Sequence, residues 1–415
     1  MRIENLRTEF GTDKAKVIAT VIWEDYDQPV TDVYFETDAA FADSLTCNPH
    51  AFLVASLIPA FHFGERRILI KEEICPELRE GLLAVMTLMR HWYYKPDKQL
   101  VQIETKTRAK VLTPNKPPRT GVFVSGGLDS FAALRSNRLN FSPEHPGSFK
   151  DGLIVFGFHG EEPDHFKQVL ASLSEVAEEV GITPIQIRTN LVALGPGWAF
   201  WADELFGAAF AAVAHAFTNR LTTVALASAG FCFPRKFDPH GSHPLIDPNY
   251  SSSDLRIHHD GIALSRLEKA RLISDWDFAL KHLRVCNRTG SVRSETLNCG
   301  KCEKCIRTML SFSALGILHK VPVFPAQDIS ADLVRSVRLS SVSVRCYHEL
   351  LAPLAERGRK DLVSAIEDKI KQCERSEKLN RWKTKLKQFD RKYLNSSLVH
   401  LNQTLLQKKE MARKL

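Results

Sequence analysis

Residues 122–130 read Val-Phe-Val-Ser-Gly-Gly-Leu-Asp-Ser, and Phe131-Ala132-Ala133-Leu134 follow. The run Val122–Val124 has the character of a buried parallel strand, and the residues after the loop begin a helix. A strand, a Gly-rich turn and a helix N-terminus together form an anion cradle. The first-turn N–H groups have no partner inside the helix, and the helix dipole favours negative charge there. Gly126 and Gly127 let the backbone approach a phosphate closely. Ser125 and Ser130 offer hydroxyl donors, and Leu128 contributes a backbone N–H. A carboxylate beside phosphate needs a cation between them, so Asp129 is expected to be a Mg²⁺ ligand, direct or through water. No Gly-Lys-Ser/Thr follows, so this is not the Walker A pattern.

Outward from this loop the chain alternates. Gly152–Phe158, Ile185–Arg188 and Thr222–Ala227 read as strands, and Asp164–Val180 and Trp201–Arg220 as helices. The expected fold is α/β, a doubly wound parallel sheet with its ligand site at the C-terminal ends of the strands. Residues 1–115 are expected to form a separate α+β domain. Its strands are Lys16–Trp23, Asp32–Thr37, Glu65–Lys71 and Leu100–Val111. Its helices are Ala40–Phe63, interrupted at Pro59, and Pro76–Trp92. The proline-containing stretch 113–120 is the expected linker, 120–325 the catalytic domain, and 328–415 a helical, basic region. Helices are expected at Leu333–Leu351 and Asp361–Leu386.

The chain has 415 residues, 44% apolar and 25% charged, the balance of a globular protein rather than a disordered or fibrous one. No apolar segment has the length of a bilayer span, and Met1-Arg2-Ile3-Glu4-Asn5 does not open a secretory signal, so a cytoplasmic location and no membrane contact are expected. The net charge of +8 is carried by the tail: Ser376–Leu415 holds eleven Lys or Arg against three Asp or Glu. Such a tail can contact nucleic acid or an acidic partner, although a solvated helix face is the commoner role.

Nine cysteines occur, and four are clustered: Cys286, Cys299, Cys302 and Cys305. Two-residue spacers let neighbouring sulfurs converge on one ion, and four thiolates close a tetrahedral structural zinc site. Compact Cys-x-x-Cys-x-x-Cys runs also hold iron–sulfur clusters; a fourth cysteine within range makes zinc the expected metal. The site is expected to clamp a strand at Leu283–Val285 onto a helix starting near Ile306. On the helix expected from Ser265, Arg266 and Lys269 are three apart and share a face. Facing the cleft they would neutralise triphosphate charge; facing outward they would be ordinary surface charges. His258 and His259 are candidate acid–base groups, and His215 a core histidine.

Ser125-Gly126-Gly127-Leu128-Asp129-Ser130 resembles the loop of the ATP pyrophosphatase (PP-loop) superfamily, within the adenine nucleotide alpha hydrolase-like fold. With Cys286, Cys299, Cys302 and Cys305 downstream, residues 121–318 resemble the 7-cyano-7-deazaguanine synthases. The resemblance implies that the loop holds the β- and γ-phosphates of ATP. It further implies that Asp129 and Ser130 serve catalysis, to which the shared helix face adds Arg266 and Lys269 as candidates if it meets the cleft, and that a small-molecule carboxylate is adenylated with release of pyrophosphate. Ammonia or an amine then yields an amide, and a second ATP-dependent step a nitrile. The extra N- and C-terminal regions resemble synthase-like proteins of bacterial anti-phage gene sets. There the resemblance implies a protein partner, with the N-terminal domain as one docking surface. PP-loop enzymes are often dimers, which makes a homodimer a further expectation. Two other readings use the same loop: thiolation of a tRNA base with Cys232 as sulfur carrier, and a non-catalytic nucleotide-binding regulator.

Overall fold

The computed structural model describes residues 1–108, 116–158, 163–229, 238–286 and 297–393. Among the described residues ten strands form one sheet: β1 (Arg2–Phe10), β2 (Lys14–Ile22), β3 (Thr31–Asp38), β4 (Arg67–Ile74), β5 (Gln102–Thr107), β6 (Thr120–Phe123), β7 (Phe149–Phe156), β8 (Thr183–Thr189), β9 (Thr223–Ala227) and β10 (Arg256–Asp260). Their order is β10-β9-β6-β7-β8-β3-β2-β1-β4-β5. Strands β10, β9, β6, β7 and β8 run parallel. β6 comes first of these in the chain and lies in their middle, with β7 on one side and β9 on the other. The order therefore reverses at β6, and the crevice outside its C-terminal end is where ligands bind in such sheets.

The first hundred residues do not form a sheet of their own. β3 pairs antiparallel with β8, Phe35 opposite Thr189, and carries the sheet on through β2 and β1. Met1–Asp328 is one compact unit, and Ile329–Leu415 is a second. The expected boundary near residue 115 therefore separates no independent core; of the expected linker, 109–115 lie outside the described residues.

Helices α1 (Pro49–Phe63), α2 (Pro76–Tyr93), α3 (Leu128–Asn140) and α4 (Pro163–Glu179) precede a compound helix. That helix is α5 (Trp198–Phe200), a π-helical turn (Trp201–Leu205) and α6 (Phe206–His215). Then come α7 (Arg266–Leu272), α8 (Asp277–His282) and α9 (Glu303–Leu315). The expected helix from Ala40 is divided. A 3₁₀ stretch at Ala39–Ser44 ends, and Asn48 starts α1 afresh by accepting from His50 N. Pro59 does not interrupt α1. Residues 50–61 are all buried, and apolar packing on every side outweighs the lost hydrogen bond.

In the second unit, α10 (Ala331–Ser336), α11 (Ser341–His348) and α12 (Leu351–Glu356) precede the long α13 (Lys360–Tyr393). The single helix expected over 333–351 is thus broken, with Ser340 capping α11. No helix among the described residues is long and apolar enough to cross a membrane.

His215 is fully buried, and its Nε2 donates to Tyr250 O at 2.8 Å. His50, also fully buried, accepts from Cys75 N at 2.9 Å through Nε2, which requires a neutral ring. Burial pushes His50 down to about 2, helped by His215, and pushes His215 down to about 4. Both rings stay neutral in the folded chain, while the unfolded chain protonates them below about pH 6.5. Stability is therefore present above 6.5 and lost as pH falls from 6.5 toward 4, by about 2 kcal/mol per histidine at pH 5. Urea midpoints at pH 7.5 and pH 5 check this, and His215→Gln is expected to flatten the dependence.

Candidate active site and metal centre

The loop after β6 is held in shape before any ligand arrives. Gly126 has φ +75°, a conformation that favours glycine, and a Cβ there would lie a tight 3.1 Å from Leu173 Cδ2. Gly126 O accepts from Arg284 N at 2.8 Å. Gly127 is the N-cap of α3, and among the described residues no side chain caps that helix. Ser125 is exposed, and its Oγ accepts from Gly127 N at 3.3 Å. Ser130 is buried and braces the loop: its Oγ donates to Gly127 O at 3.1 Å and accepts from Ser125 N at 3.4 Å. Leu128 turns its side chain into the core.

Asp129 is the centre of a charge cluster. Its Oδ1 lies 3.1 Å from Lys269 Nζ and its Oδ2 3.3 Å from Arg266 Nη1. Lys269 is 1% exposed and Arg266 5% exposed. The shared face of α7 therefore meets the cleft. That helix is set by a capping box in which Ser265 accepts from Glu268 N and Glu268 accepts from Ser265 N. Lys269 also donates to Ser228 O, at the C-terminal end of β9. Burial alone would raise the Asp129 carboxyl; Lys269, then Arg266, outweigh it and hold the carboxyl below its ordinary value. Asp129 is thus clamped by two cations rather than standing bare for a metal. Arg266 Nε and Ser228 Oγ are buried and have no partner among the described residues.

α9 brings further groups that sequence reasoning missed. Thr308 Oγ1 accepts from Arg266 Nη2 at 3.3 Å, and Arg307 adds to the positive field on Asp129. The protein packed around the Lys304 ammonium, then the charges of Arg266 and Arg307, push it down to about 8, although the residue as a whole is exposed. Lys304, Arg307 and Thr308 are spaced i, i+3, i+4, and that shared face was the available signal.

The four clustered cysteines lie at the start of this helix. All four sulfurs fall within 4.8 Å of one another. Individual separations are 3.8 Å for Cys299–Cys305, 3.9 Å for Cys286–Cys302 and 3.4 Å for Cys302–Cys305. Four sulfurs about 2.3 Å from a tetrahedral ion stand about 3.8 Å apart, so the cluster can hold a metal such as zinc. Lys301 N and Cys302 N both donate to Cys299 Sγ. Gly300 turns the chain at φ +66° with Pro325 against it. The helix begins at Glu303, one turn before the expected Ile306.

Leu283–Val285 is not a strand. Its backbone is bound instead by Asn298, which was also missed. Asn298 Oδ1 accepts from Val285 N at 2.8 Å and Cys286 N at 3.2 Å, and Nδ2 donates to Leu283 O at 2.8 Å and Val323 O at 3.2 Å. This fully buried amide holds Cys286 beside the other three cysteines. Asn298→Ala is expected to cost about 3 kcal/mol, because it leaves several buried backbone groups unpaired. Denaturant titration would show this as a lowered midpoint.

In comparisons with models of known protein families, with curated proteins and with solved structures, nothing matches this chain.

The two histidines of β10 part company. His258 is exposed, its Nε2 3.5 Å from Asp260 Oδ1. His259 is buried, and its Nδ1 binds Asp247 Oδ2 at 2.7 Å. Asp247 also accepts from Ser242 Oγ and His243 N, so this group anchors the 242–247 turn. Neither histidine bonds the Asp129 cluster. Cys232 lies outside the described residues.

Proposed function

We propose that this chain is a PP-loop-type enzyme that adenylates a carboxylate with ATP, releases pyrophosphate, and passes the acyl group on to an amide or nitrile. One observation carries this reading. Lys269 and Arg266 converge on Asp129 beside a Gly-rich loop, at the point where the order of the parallel strands reverses. A cradle of helix N–H groups with buried cations suits a triphosphate far better than a neutral ligand.

The α3 N–H groups and Ser125 would hold the β- and γ-phosphates. Lys269 and Arg266, with Lys304 and Arg307, would take up charge as it moves toward the leaving pyrophosphate. The substrate carboxylate oxygen attacks the α-phosphorus in line, a P–O bond forms, and the bond to the pyrophosphate oxygen breaks. An amine nitrogen then attacks the acyl carbon, and AMP departs with the former carboxylate oxygen. The chain contributes positioning and charge. Each Asp129 oxygen keeps a lone pair beyond its ion pair, so the residue also fits Mg²⁺, which would supply further neutralisation between phosphates.

The metal at the four cysteines is read as zinc. The short sulfur–sulfur distances suit one ion, whereas a cluster of several irons would hold its ligands further apart. The substrate class is a 7-deazaguanine-type acid, and the acceptor is ammonia or an amine of a partner protein.

The test is incubation with Mg-ATP and 7-carboxy-7-deazaguanine, with and without ammonium, following AMP and pyrophosphate. Acid-dependent AMP, absent in Asp129→Ala, establishes adenylation, and a nitrile identifies the synthase reaction. AMP without dependence on that acid keeps the chemistry and removes the substrate class. ATP bound without AMP under any condition overturns the proposal.

A further inference from the structure

Helix α13 presents two different faces. In its first half Leu362, Ala365, Ile366, Ile370 and Cys373 are buried, and this half packs against α10, α11 and α12. Further along, Leu379, Trp382 and Leu386 are 51%, 61% and 39% exposed. At about 100° per residue the centre of this stripe lies about 140° round the helix from the packed face. The stripe is therefore no continuation of the unit's own core.

Its spacing is informative. Leu379, Trp382 and Leu386 are three and four apart, the a and d positions of a heptad, and Phe389 and Tyr393 continue the same spacing in the sequence. From Leu379 to Tyr393 this gives a seam about 20 Å long. Two apolar positions in seven make a narrow coiled-coil seam; a helix lying in a membrane interface needs a wider apolar face. The e and g positions beside the seam, from 378 to 392, are Lys378, Lys383, Lys385, Asp390 and Lys392. Charges at these positions choose the partner. A second copy would bring two segments together that each carry seven basic residues and one acidic residue between 378 and 392.

We propose that the second half of α13 is a docking helix for another protein, and that its occupant is an acidic amphipathic helix with an apolar heptad seam flanked by Glu or Asp. Apolar side chains at a and d give the contact, and the lysines select the partner and orient it. This surface is separate from the ATP-binding reading and does not depend on it.

The test uses the full chain and designed four-heptad peptides with Leu at a and d, labelled with fluorescein. One peptide carries Glu at e and g, the other Lys. Fluorescence anisotropy is expected to show about tenfold or greater preference for the Glu peptide, shrinking as salt is raised. Trp382→Ala with Leu386→Ala should weaken that binding about tenfold or more, with the melting curve of the free protein unchanged. Lys378→Glu, Lys383→Glu and Lys385→Glu together should reverse the preference. Equal binding of both peptides, or affinity indifferent to the Trp382 and Leu386 changes, overturns the proposal. So does binding to phosphatidylserine vesicles but to neither peptide. A concentration-dependent dimer that Trp382→Ala dissolves would assign the seam to a second copy instead.

Discussion

Lys269→Gln is expected to lower the rate of AMP formation about a thousandfold, the scale of a single buried donor lost from a charge-stabilising site. The lysine is 1% exposed, and its ammonium bridges Asp129 Oδ1 and Ser228 O, so no other described group can move into its place without repacking the cleft. Its charge acts twice. It neutralises a carboxylate that would otherwise repel phosphate, and it offsets the burial penalty that would raise the Asp129 carboxyl. Without it, Arg266 is the remaining ion-pair partner of Asp129 among the described residues, and on the ATP reading the cleft should attract a triphosphate less strongly. Glutamine keeps a donor and most of the volume, which limits the loss of stability; a methionine would also remove the donor that Ser228 O receives from Lys269. Lys269→Gln combined with Asp129→Asn also strips the buried Arg266 of its carboxylate, and should melt below Lys269→Gln alone while staying inactive. Rates measured with folded protein decide the matter. A loss of only twofold to threefold in Lys269→Gln would show that the clamp is structural and that the ATP reading is misplaced.

How far the sequence discloses this arrangement depends on what each signal needs. The strand–loop–helix at 120–140 depends on local chemistry alone: an apolar run, two glycines, and a helix start without a capping side chain. Strand β1 was not legible, because Asn5 at φ +54° puts a bulge between Glu4 and Arg7 and shifts the alternation of its apolar residues. β10 is five residues long with two histidines and one strong strand former, and it is a strand because β9 offers an open edge. Leu283–Val285 looks like a strand, but its hydrogen bonds go to Asn298 and to Gly126 instead of to a neighbour. The continuation of the sheet from β8 to β3 is a long-range pairing with no local mark. Arg266 and Lys269 could be placed on one helix face from spacing, whereas the direction of that face depends on the packing of α7 against α3 and α9.

Removing the metal is expected to abolish AMP formation as well as to unfold the cysteine knuckle. The ligands anchor the segments that build the cleft. Cys302 is the N-cap of α9 and Cys305 sits in its first turn, so a metal held there would fix where this helix begins and how it is oriented. The same helix carries Lys304, Arg307 and Thr308, and Thr308 holds the guanidinium of Arg266 that pairs with Asp129. On the other side, Cys286 follows directly on the Leu283–Val285 segment, in which Arg284 N supports the Gly126–Gly127 loop through Gly126 O. One ion at the four cysteines would therefore secure both walls of the cleft. Without it, thiols crowd one another: Cys302 is pushed up to about 11, chiefly by Cys286, and four thiolates so close together require a cation. Treatment with a mercurial thiol reagent and a chelator is expected to release one zinc per chain, with AMP formation falling in proportion. Cys302→Ser should reduce bound zinc well below one per chain and lower the melting temperature by about 10 °C or more, since structural zinc sites contribute several kcal/mol to folding. Iron with strong visible absorption in the purified protein would replace zinc by a cluster in this account. Undiminished AMP formation by metal-free protein would show that α9 holds its place on apolar packing alone, through Ile306, Met309 and Leu310, which are fully buried.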